Sequence, residues 1–274
     1  MEKSKIIRQP QVAGQFYPSS RQELKNQIGT LIDKKADKSD VIACVLPHAG
    51  YMYSGAVAGK TVSRINLKDK IILLGPNHTG YGARFSMMTE GSWQTPLGEI
   101  KIDAHLAKEI LKRSKYLEDD ASAHRYEHSL EVELPFLQYF KSDFEIVPII
   151  FLSDEFELLK EIGREIAYTL KELNIKDSTL IVASSDMTHY EPQIQAQKKD
   201  KEAIEAILEL NEDRLIKRIQ DLNISMCGYA PVIAMLSAAK LLGAKAGKLI
   251  QYQTSGDVTG DKSSVVGYAG IIVQ

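Results

Sequence analysis

Three apolar segments of the chain run directly into residues that bind metals or transfer protons. VIACVLPHAGY leads to His48, and IILLGPNHTGY leads to His78. LIVASSDMTHY leads to Asp186 and His189. In open α/β sheets, ligands bind outside the carboxyl ends of the strands, so these side chains are expected to share one site. A lone histidine after a strand can equally be a hydrogen-bonded loop residue, but three such strand ends favour a functional cluster.

A cysteine stands at the start of a predicted helix. The segment ISMCGYAPVIAMLSAAK places Cys227 immediately before that helix, with Pro231 near its first turn. Helix amide groups and the positive end of the helix dipole favour a thiolate there, and a thiolate is both a nucleophile and a metal ligand. A free cysteine is usually buried and inert, however, and the residues alone favour that interpretation for Cys227. Cys44, in the middle of VIACVL, is expected in the core.

The segment HRYEHSLEVELPF carries further titratable side chains. Glu127 could orient His128, as a carboxylate orients a metal-bound histidine. Ser129 could cap the helix that follows, with a glutamate a few residues later completing the cap. For Glu131 and Glu133 the favoured interpretation is a solvated or cap-proximal helix face.

The composition excludes several classes of protein. The 274 residues are 44% hydrophobic and 26% charged, with a net charge of -2 and a pI near 6.3, which is typical of a globular chain. No basic stripe indicates nucleic acid, and no apolar stretch of about 18 residues indicates a membrane span. The N-terminal residues lack a signal-peptide core and the two cysteines fit a reducing compartment, so a cytoplasmic protein is expected. No linker or repeat divides residues 1–274, which are predicted to form one domain.

The elements that must position these residues alternate between strands and helices, which predicts an α/β fold. Short, continuous apolar runs typical of a buried sheet are found at 41–46, 70–75 and 178–186. Further strands are expected at 144–152, 248–254 and 264–273, the last two as antiparallel neighbours, and an irregular hairpin is expected at 85–102. Helices are predicted at 55–65, 105–113, 154–173 and 229–243, with two more within 196–221.

Single residues mark where some of these elements begin and end. Asp103 is a predicted N-cap for the helix that follows it, and Gly243 is expected to end the last helix. Pro135 predicts a kink or a late start in the amphipathic segment SLEVELPFLQYF. Pro148 lies inside the strand FEIVPIIFL and predicts an edge or irregular position, because proline cannot donate to a neighbouring strand.

Five motifs together resemble one known family. PHAGYMYSG, LGPNHTG, EHSLEVELPF, SSDMTHY and CGYAPV follow one another in the order and spacing of the Memo family. In prokaryotes that family includes the Memo-like component of the AmmeMemoRadiSam set. The opening AGQFYP also resembles the N-terminal segment of the family, with Phe16 where some members have tryptophan. The similarity runs from residue 8 to the C-terminus, and five ordered motifs make it specific.

The resemblance implies a fold and a set of ligands. The Memo family is similar to LigB-type class III extradiol dioxygenases, which have a single α/β domain with a central mixed sheet flanked by helices and bind non-haem Fe(II). Carried onto this chain, the resemblance implies His48, His78 and Cys227 as metal ligands. It also implies that Asp186 and His189 line the same pocket. His189 would act as acid or base, and Asp186 would orient it or a bound water.

The implied pocket also contains Phe16 and His128. Its third ligand is a cysteine thiolate, where a 2-His-1-carboxylate iron site has a carboxylate. Sulfur softens the site and suits copper or zinc as well as iron, and it is oxidisable. The replacement of the carboxylate ligand by a thiolate argues against cleavage of an aromatic ring. Iron- or copper-dependent redox chemistry is therefore the first hypothesis, with zinc as the alternative metal.

Two other functions fit the same residues. With zinc, the protein could be a hydrolase that activates water to cleave an amide or ester. It could instead be a non-catalytic module that binds a small molecule, a peptide or a protein in the same cleft. Four tyrosines would then supply contacts or ordinary pocket walls: Tyr51, Tyr53, Tyr81 and Tyr190. The family context implies AMMECR-like and radical SAM proteins as partners, and neither nucleic acid nor a membrane is expected.

Overall fold

The polar strand ends singled out above belong to a large mixed β-sheet. The computed structural model describes residues 6–274. In chain order the strands of this range are β1 (Ile7–Arg8), β2 (Ala43–Leu46), β3 (Lys70–Pro76), β4 (Phe85–Met87), β5 (Ser92–Thr95), β6 (Gly98–Lys101), β7 (Glu118–Asp119), β8 (Glu145–Phe151), β9 (Thr179–Ser184), β10 (His189–Glu191), β11 (Gly247–Thr254) and β12 (Val265–Val273).

The large sheet has the strand order β10-β12-β2-β9-β3-β8-β4-β7, with β11 paired to β12. Strands β2, β9, β3 and β8 are parallel to their neighbours in this group, while β12 and β4 flank the group as antiparallel partners. Strands β11 and β12 are antiparallel neighbours, as predicted. Of the segment 85–102 predicted as a hairpin, β5 and β6 form one and join β1 in a small second sheet, whereas β4 belongs to the large sheet. The expected mixed sheet is therefore confirmed.

The register of the central strands brings their ends to one edge. Leu46, the last residue of β2, lies beside Ser184, the last residue of β9. On the other side of β9, Ala183 lies beside Leu74 of β3. Because the three strands are parallel, the residues that follow them leave the sheet at the same edge.

The helices of the described range cover this sheet. They are α1 (Arg21–Leu31), α2 (Tyr51–Val62), α3 (Ala104–Arg113), α4 (Leu134–Phe140), α5 (Phe156–Glu172), α6 (Gln193–Leu208), α7 (Glu212–Leu222), α8 (Tyr229–Leu242) and α9 (Ser255–Thr259), with short 3₁₀ turns at Glu131–Glu133 and Lys176–Ser178. Helix α8 packs between the central strands and α5, which explains why residues 230–239 are all buried. Helix α2 packs against β11 and β12. None of the helices between residues 6 and 274 has the length and apolar character that crossing a membrane requires.

Several predicted boundaries are confirmed by their local geometry. The side chain of Asp103 accepts a hydrogen bond from the backbone N–H of Leu106 at 2.9 Å and so caps α3. Gly243 ends α8 in the left-handed conformation, with φ of 107°. Pro135 lies in the first turn of α4, where its missing N–H costs no helical hydrogen bond.

Of the edge or irregular position predicted for Pro148, the edge is wrong, since β8 is an interior strand between β3 and β4, and the irregular position is confirmed. The carbonyl oxygen of Pro148 accepts from the N–H of Met88 at 3.4 Å, so its nitrogen also faces the β4 side. Strand β4 has already ended at that level. Proline has no backbone N–H, and at this position β4 no longer pairs regularly with β8, so no regular ladder hydrogen bond is lost.

Candidate functional site

The edge defined by the central strands carries a compact group of metal-binding side chains. His48 follows β2, His78 follows β3, and Cys227 lies in the turn before α8. One ligand atom from each of the three lies within 4.8 Å of the others. Nε2 of His48 and Sγ of Cys227 are 3.4 Å apart. The convergence expected from the strand ends is thus present in the fold.

A buried glutamate holds His78 in place. Nδ1 of His78 lies 3.0 Å from Oε1 of Glu127, and the backbone N–H of His78 donates to the other carboxylate oxygen. Burial alone would raise the pKa of Glu127, but the hydrogen bond and charge of His78 and the N–H of Ser129 lower it to about 2. Glu127 was expected to orient His128, and its Oε1 does accept a hydrogen bond from the backbone N–H of His128 at 2.8 Å. Its principal role is to orient His78, which leaves Nε2 of that ring free.

His48 is buried and enclosed by hydrogen bonds. Its Nδ1 lies 2.8 Å from the hydroxyl of Ser184, and its backbone N–H donates to Oδ1 of Asp186 at 2.9 Å. Burial and, to a smaller extent, the neighbouring His78 hold the pKa of His48 well below its usual range. The ring is therefore neutral at physiological pH, which is the form that binds a metal.

Cys227 reaches the site because a glycine follows it. A β-carbon on Gly228 would lie 2.2 Å from the carbonyl oxygen of Ser184, so only glycine allows this turn to approach β9 so closely. The N–H of Asp186 donates to Sγ of Cys227 at 3.3 Å. Burial, and then the charge of Asp186, raise the pKa of the thiol. The expectation that the start of α8 favours a thiolate is wrong for the metal-free protein, because burial outweighs the helix terminus.

The two residues predicted to handle protons are held separately. Asp186 orients the backbone of His48, while Nδ1 of His189 donates to the carbonyl oxygen of Ser225 at 2.9 Å. The backbone N–H of His189 also donates to Oγ of Ser225. Ser225 therefore fixes the His189 ring and leaves Nε2 of His189 free. Burial raises the pKa of Asp186 to about 6, despite the opposing effect of His189.

These side chains line a cavity of about 750 Å³. The ring of Phe16 contacts the edge of His128, with centroids 5.0 Å apart, and His128 stacks on His78 at 4.8 Å. Both predicted pocket residues therefore lie in the cavity wall. The remaining lining residues include some that the sequence did not single out: Gln15, Ala49, Ser225, Val266 and Tyr268.

The four tyrosines expected around the cleft divide into two groups. Tyr53 and Tyr190 line the cavity, and Tyr190 is 78% exposed. Tyr51 is buried in α2, where its hydroxyl donates to the carbonyl oxygen of Val132 at 2.9 Å. Tyr81 is exposed, faces Tyr126 and is not among the residues that line the cavity. Only the first pair is placed to contact a ligand.

Glu131 is completely buried, so the predicted solvated position is wrong. Its carboxylate accepts from the guanidinium of Arg8 at 2.7 Å and from the hydroxyl of Tyr17 at 2.6 Å. The backbone N–H groups of Gln11 and Val12 donate to the same carboxylate. The N-terminal segment is thereby fastened to the protein, and this segment delivers the phenyl ring of the pocket.

Glu133 is also completely buried, which corrects the same prediction at a second position. Its Oε1 lies 2.9 Å from the hydroxyl of Ser184. Ser129 does not cap the following helix, since its hydroxyl donates to the carbonyl oxygen of Pro76 at 2.9 Å. The segment lies between the N-terminal residues on one side and β9 on the other, and a helix-face argument could not reveal that enclosure.

The donor set fits a bound cation. Nδ1 of His48 and Nδ1 of His78 are each bonded to a protein oxygen, which leaves Nε2 of both rings for a metal, and a metal would displace the proton of the Cys227 thiol. A second group with ligand atoms within 4.8 Å consists of His78, Glu127 and His128. The oxygens of Glu127 already accept from the backbone N–H groups of His78, His128 and Ser129. The His48, His78 and Cys227 group is therefore freer to bind a metal.

A mixed α/β fold with two histidines and a cysteine at the carboxyl edge of its parallel strands defines a protein with a candidate metal site. The family model described as "Memo-like protein" matches residues 8–272, so the chain belongs to the Memo family. It is 45% identical to a MEMO1 family protein of Methanococcoides burtonii, over 98% of this chain and 100% of that protein. It is 42% identical to one of Methanopyrus kandleri, over 97% of this chain and 99% of that protein.

A solved structure shows the same fold at low sequence identity. An uncharacterized protein of Escherichia coli K12 superposes with a TM-score of 0.56 and 13% identity. The superposition covers 84% of this chain and 98% of that protein. This likeness concerns the fold alone.

Proposed function

We propose that this Memo-like protein is a metal-dependent oxidoreductase in which His48, His78 and Cys227 hold iron or copper. The observation that carries the proposal is the convergence of their three ligand atoms within 4.8 Å. Each histidine is oriented through Nδ1 by an oxygen of the protein, which leaves Nε2 for a metal. Imidazole suits iron and copper, and a thiolate suits copper and zinc.

When bound, iron or copper would supply electron exchange with O₂ or another oxidant. The protein itself would bind the substrate in the cavity and exchange protons with it. His189 can take a proton at Nε2, because Nδ1 is committed to the carbonyl oxygen of Ser225. Asp186 can exchange protons near neutral pH, because burial raises its pKa to about 6. The edge-on contact between Phe16 and His128 forms the apolar wall against which a substrate would pack.

The test is the metal content of protein purified without oxygen, measured by mass spectrometry. Wild-type protein is compared with His48→Ala and Cys227→Ala, and with His105→Ala as a control on the exposed surface of α3. Near-stoichiometric iron or copper in the wild type and the control, lost in the site variants, is the expected result. Oxygen consumption in the presence of a reductant should follow the same pattern.

Other outcomes would overturn the proposal in definite ways. If zinc alone is bound and lost in the site variants, a hydrolase becomes the better interpretation. If the wild type binds no metal after reconstitution, the cavity is a site for an organic or peptide ligand. Equal metal content in the wild type and Cys227→Ala would remove the thiol from the ligand set.

A further inference from the structure

Behind the candidate metal group lies a fully buried polar chain that the sequence did not reveal. Ser184 ends β9, and its hydroxyl is surrounded by three partners. The carbonyl oxygen of Ser129 lies at 2.7 Å, Nδ1 of His48 at 2.8 Å and Oε1 of Glu133 at 2.9 Å. The side chains of His48, Ser184 and Glu133 are all nearly or completely buried.

Counting protons shows which group donates and which accepts in each hydrogen bond around Ser184. A serine hydroxyl has one proton to donate and two lone pairs to accept with. The Ser129 carbonyl can only accept, and it is the nearest partner, so the Ser184 proton points to it. His48 must then donate from Nδ1. Glu133 must donate from Oε1, since two unprotonated oxygens at 2.9 Å would repel each other.

The other oxygen of Glu133 supports the same assignment. Among residues 6–274, Oε2 of Glu133 has no hydrogen-bond partner. An ionised carboxylate with one bare oxygen in a fully buried position is very unfavourable, whereas the carbonyl oxygen of a neutral acid is tolerated there. Burial raises the pKa of Glu133 well above its usual range, the hydrogen bond with Ser184 opposes this shift in part, and the nearby charge of Asp186 adds to it.

We infer that Glu133 is a neutral carboxylic acid that acts with Ser184 as a positioning pair, holding His48 as the Nδ1–H tautomer with Nε2 directed at Cys227. Neither residue touches the cavity, so both act through His48. The consequence for metal binding rests on the proposed function, but the tautomer and the protonation state do not.

The first experiment uses metal-free, ¹³C- and ¹⁵N-labelled protein in solution. Two-bond ¹H–¹⁵N spectra distinguish the two tautomers of each histidine, and His48→Gln identifies the signals of His48. The side-chain ¹³C shift of Glu133, identified with Glu133→Gln, distinguishes a carboxylic acid from a carboxylate. We expect a protonated Nδ1 on His48 and a carboxylic acid at Glu133 throughout the neutral pH range. An Nε2–H tautomer or a carboxylate shift would overturn the inference.

The second experiment measures positioning through Co²⁺ binding, followed by absorbance. Ser184→Ala is expected to mix the tautomers of His48 and to weaken Co²⁺ binding about 10- to 100-fold. Glu133→Gln should keep both properties, because its amide can donate to Ser184 from the same place. Ser237→Ala is the matched control, since this buried serine of α8 is likewise hydrogen-bonded to a glutamate at 2.9 Å and lies outside the cavity lining. It should bind Co²⁺ as the wild type does.

The outcomes separate this inference from the proposed function. Unchanged Co²⁺ affinity in Ser184→Ala would overturn the positioning role. A loss of affinity as large in Ser237→Ala would show a general structural effect and would overturn it too. If wild-type protein binds no Co²⁺, the proposed function fails, and the histidine and carboxyl spectra alone decide whether the buried pair fixes the His48 tautomer.

Discussion

Replacing Glu131 with glutamine should destabilise the protein more than any exposed ion-pair substitution. The four groups around this carboxylate are all donors: the Arg8 guanidinium, the Tyr17 hydroxyl and two backbone N–H groups. In Glu131→Gln one carboxylate oxygen becomes an NH₂ group, which has nothing to donate to. The positive charge of Arg8 would also lose its only ion-pair partner in the described part of the chain.

The size of the effect follows from burial. The side chains of Arg8 and Glu131 are 5% and 0% exposed, so water cannot replace the lost contact. Breaking a buried ion pair from one side costs about 3 to 5 kcal/mol. Arg8 keeps hydrogen bonds to the carbonyl oxygens of His124 and Glu127, so we expect a loss near the lower limit, about 3 kcal/mol.

Urea denaturation of wild type and variant, analysed at equal m-values, measures the loss. Glu161→Gln is the matched control: its pair with Arg164 spans one helical turn at 2.8 Å, and both side chains are 42% exposed. It should cost only about 0.3 to 0.5 kcal/mol. Hydrogen exchange should also accelerate at the amides of Gln11 and Val12. A loss no larger than that of the control, with unchanged exchange at these amides, would refute the reasoning.

Three further predictions concern the site. Gly228→Ala should weaken Co²⁺ binding by about tenfold or more, because the added β-carbon would collide with a backbone oxygen of β9. Gly29→Ala is the control: its β-carbon would be at an ordinary contact distance of 3.5 Å, so Co²⁺ binding should not change. Glu127→Gln should weaken Co²⁺ binding about 10- to 100-fold by releasing His78, and a change under about twofold would argue against that role. In native metal-free protein a thiol reagent should modify Cys227 and spare the fully buried Cys44, and in urea it should modify both. Bound metal should protect Cys227. Equal rates of modification of the two cysteines in the native protein would contradict their difference in burial.

Local sequence was sufficient for much of the fold. Apolar runs such as KIILLG and STLIVAS gave strands because buried parallel strands need no polar face. Asp103 and Gly243 marked helix ends through interactions within a few residues, which a linear sequence displays directly. Pro148 shows the limit: whether a proline is tolerated depends on how far the neighbouring strand extends, and that neighbour comes from a distant part of the chain.

The same division holds at the site. The polar residues at three strand ends were enough to predict that His48, His78 and Asp186 share one edge, because parallel strands present their carboxyl ends together. Cys227 follows no strand, and only the order of motifs and the resemblance they carry added it to the ligand set. The surroundings of these residues were decided only by tertiary structure. Glu131 and Glu133 look like an exposed acidic helix face in the sequence, yet one fastens the N-terminal segment and the other lies behind His48. Burial and hydrogen-bond partners depend on segments more than 50 residues apart, and they determine which group is charged and which nitrogen is free.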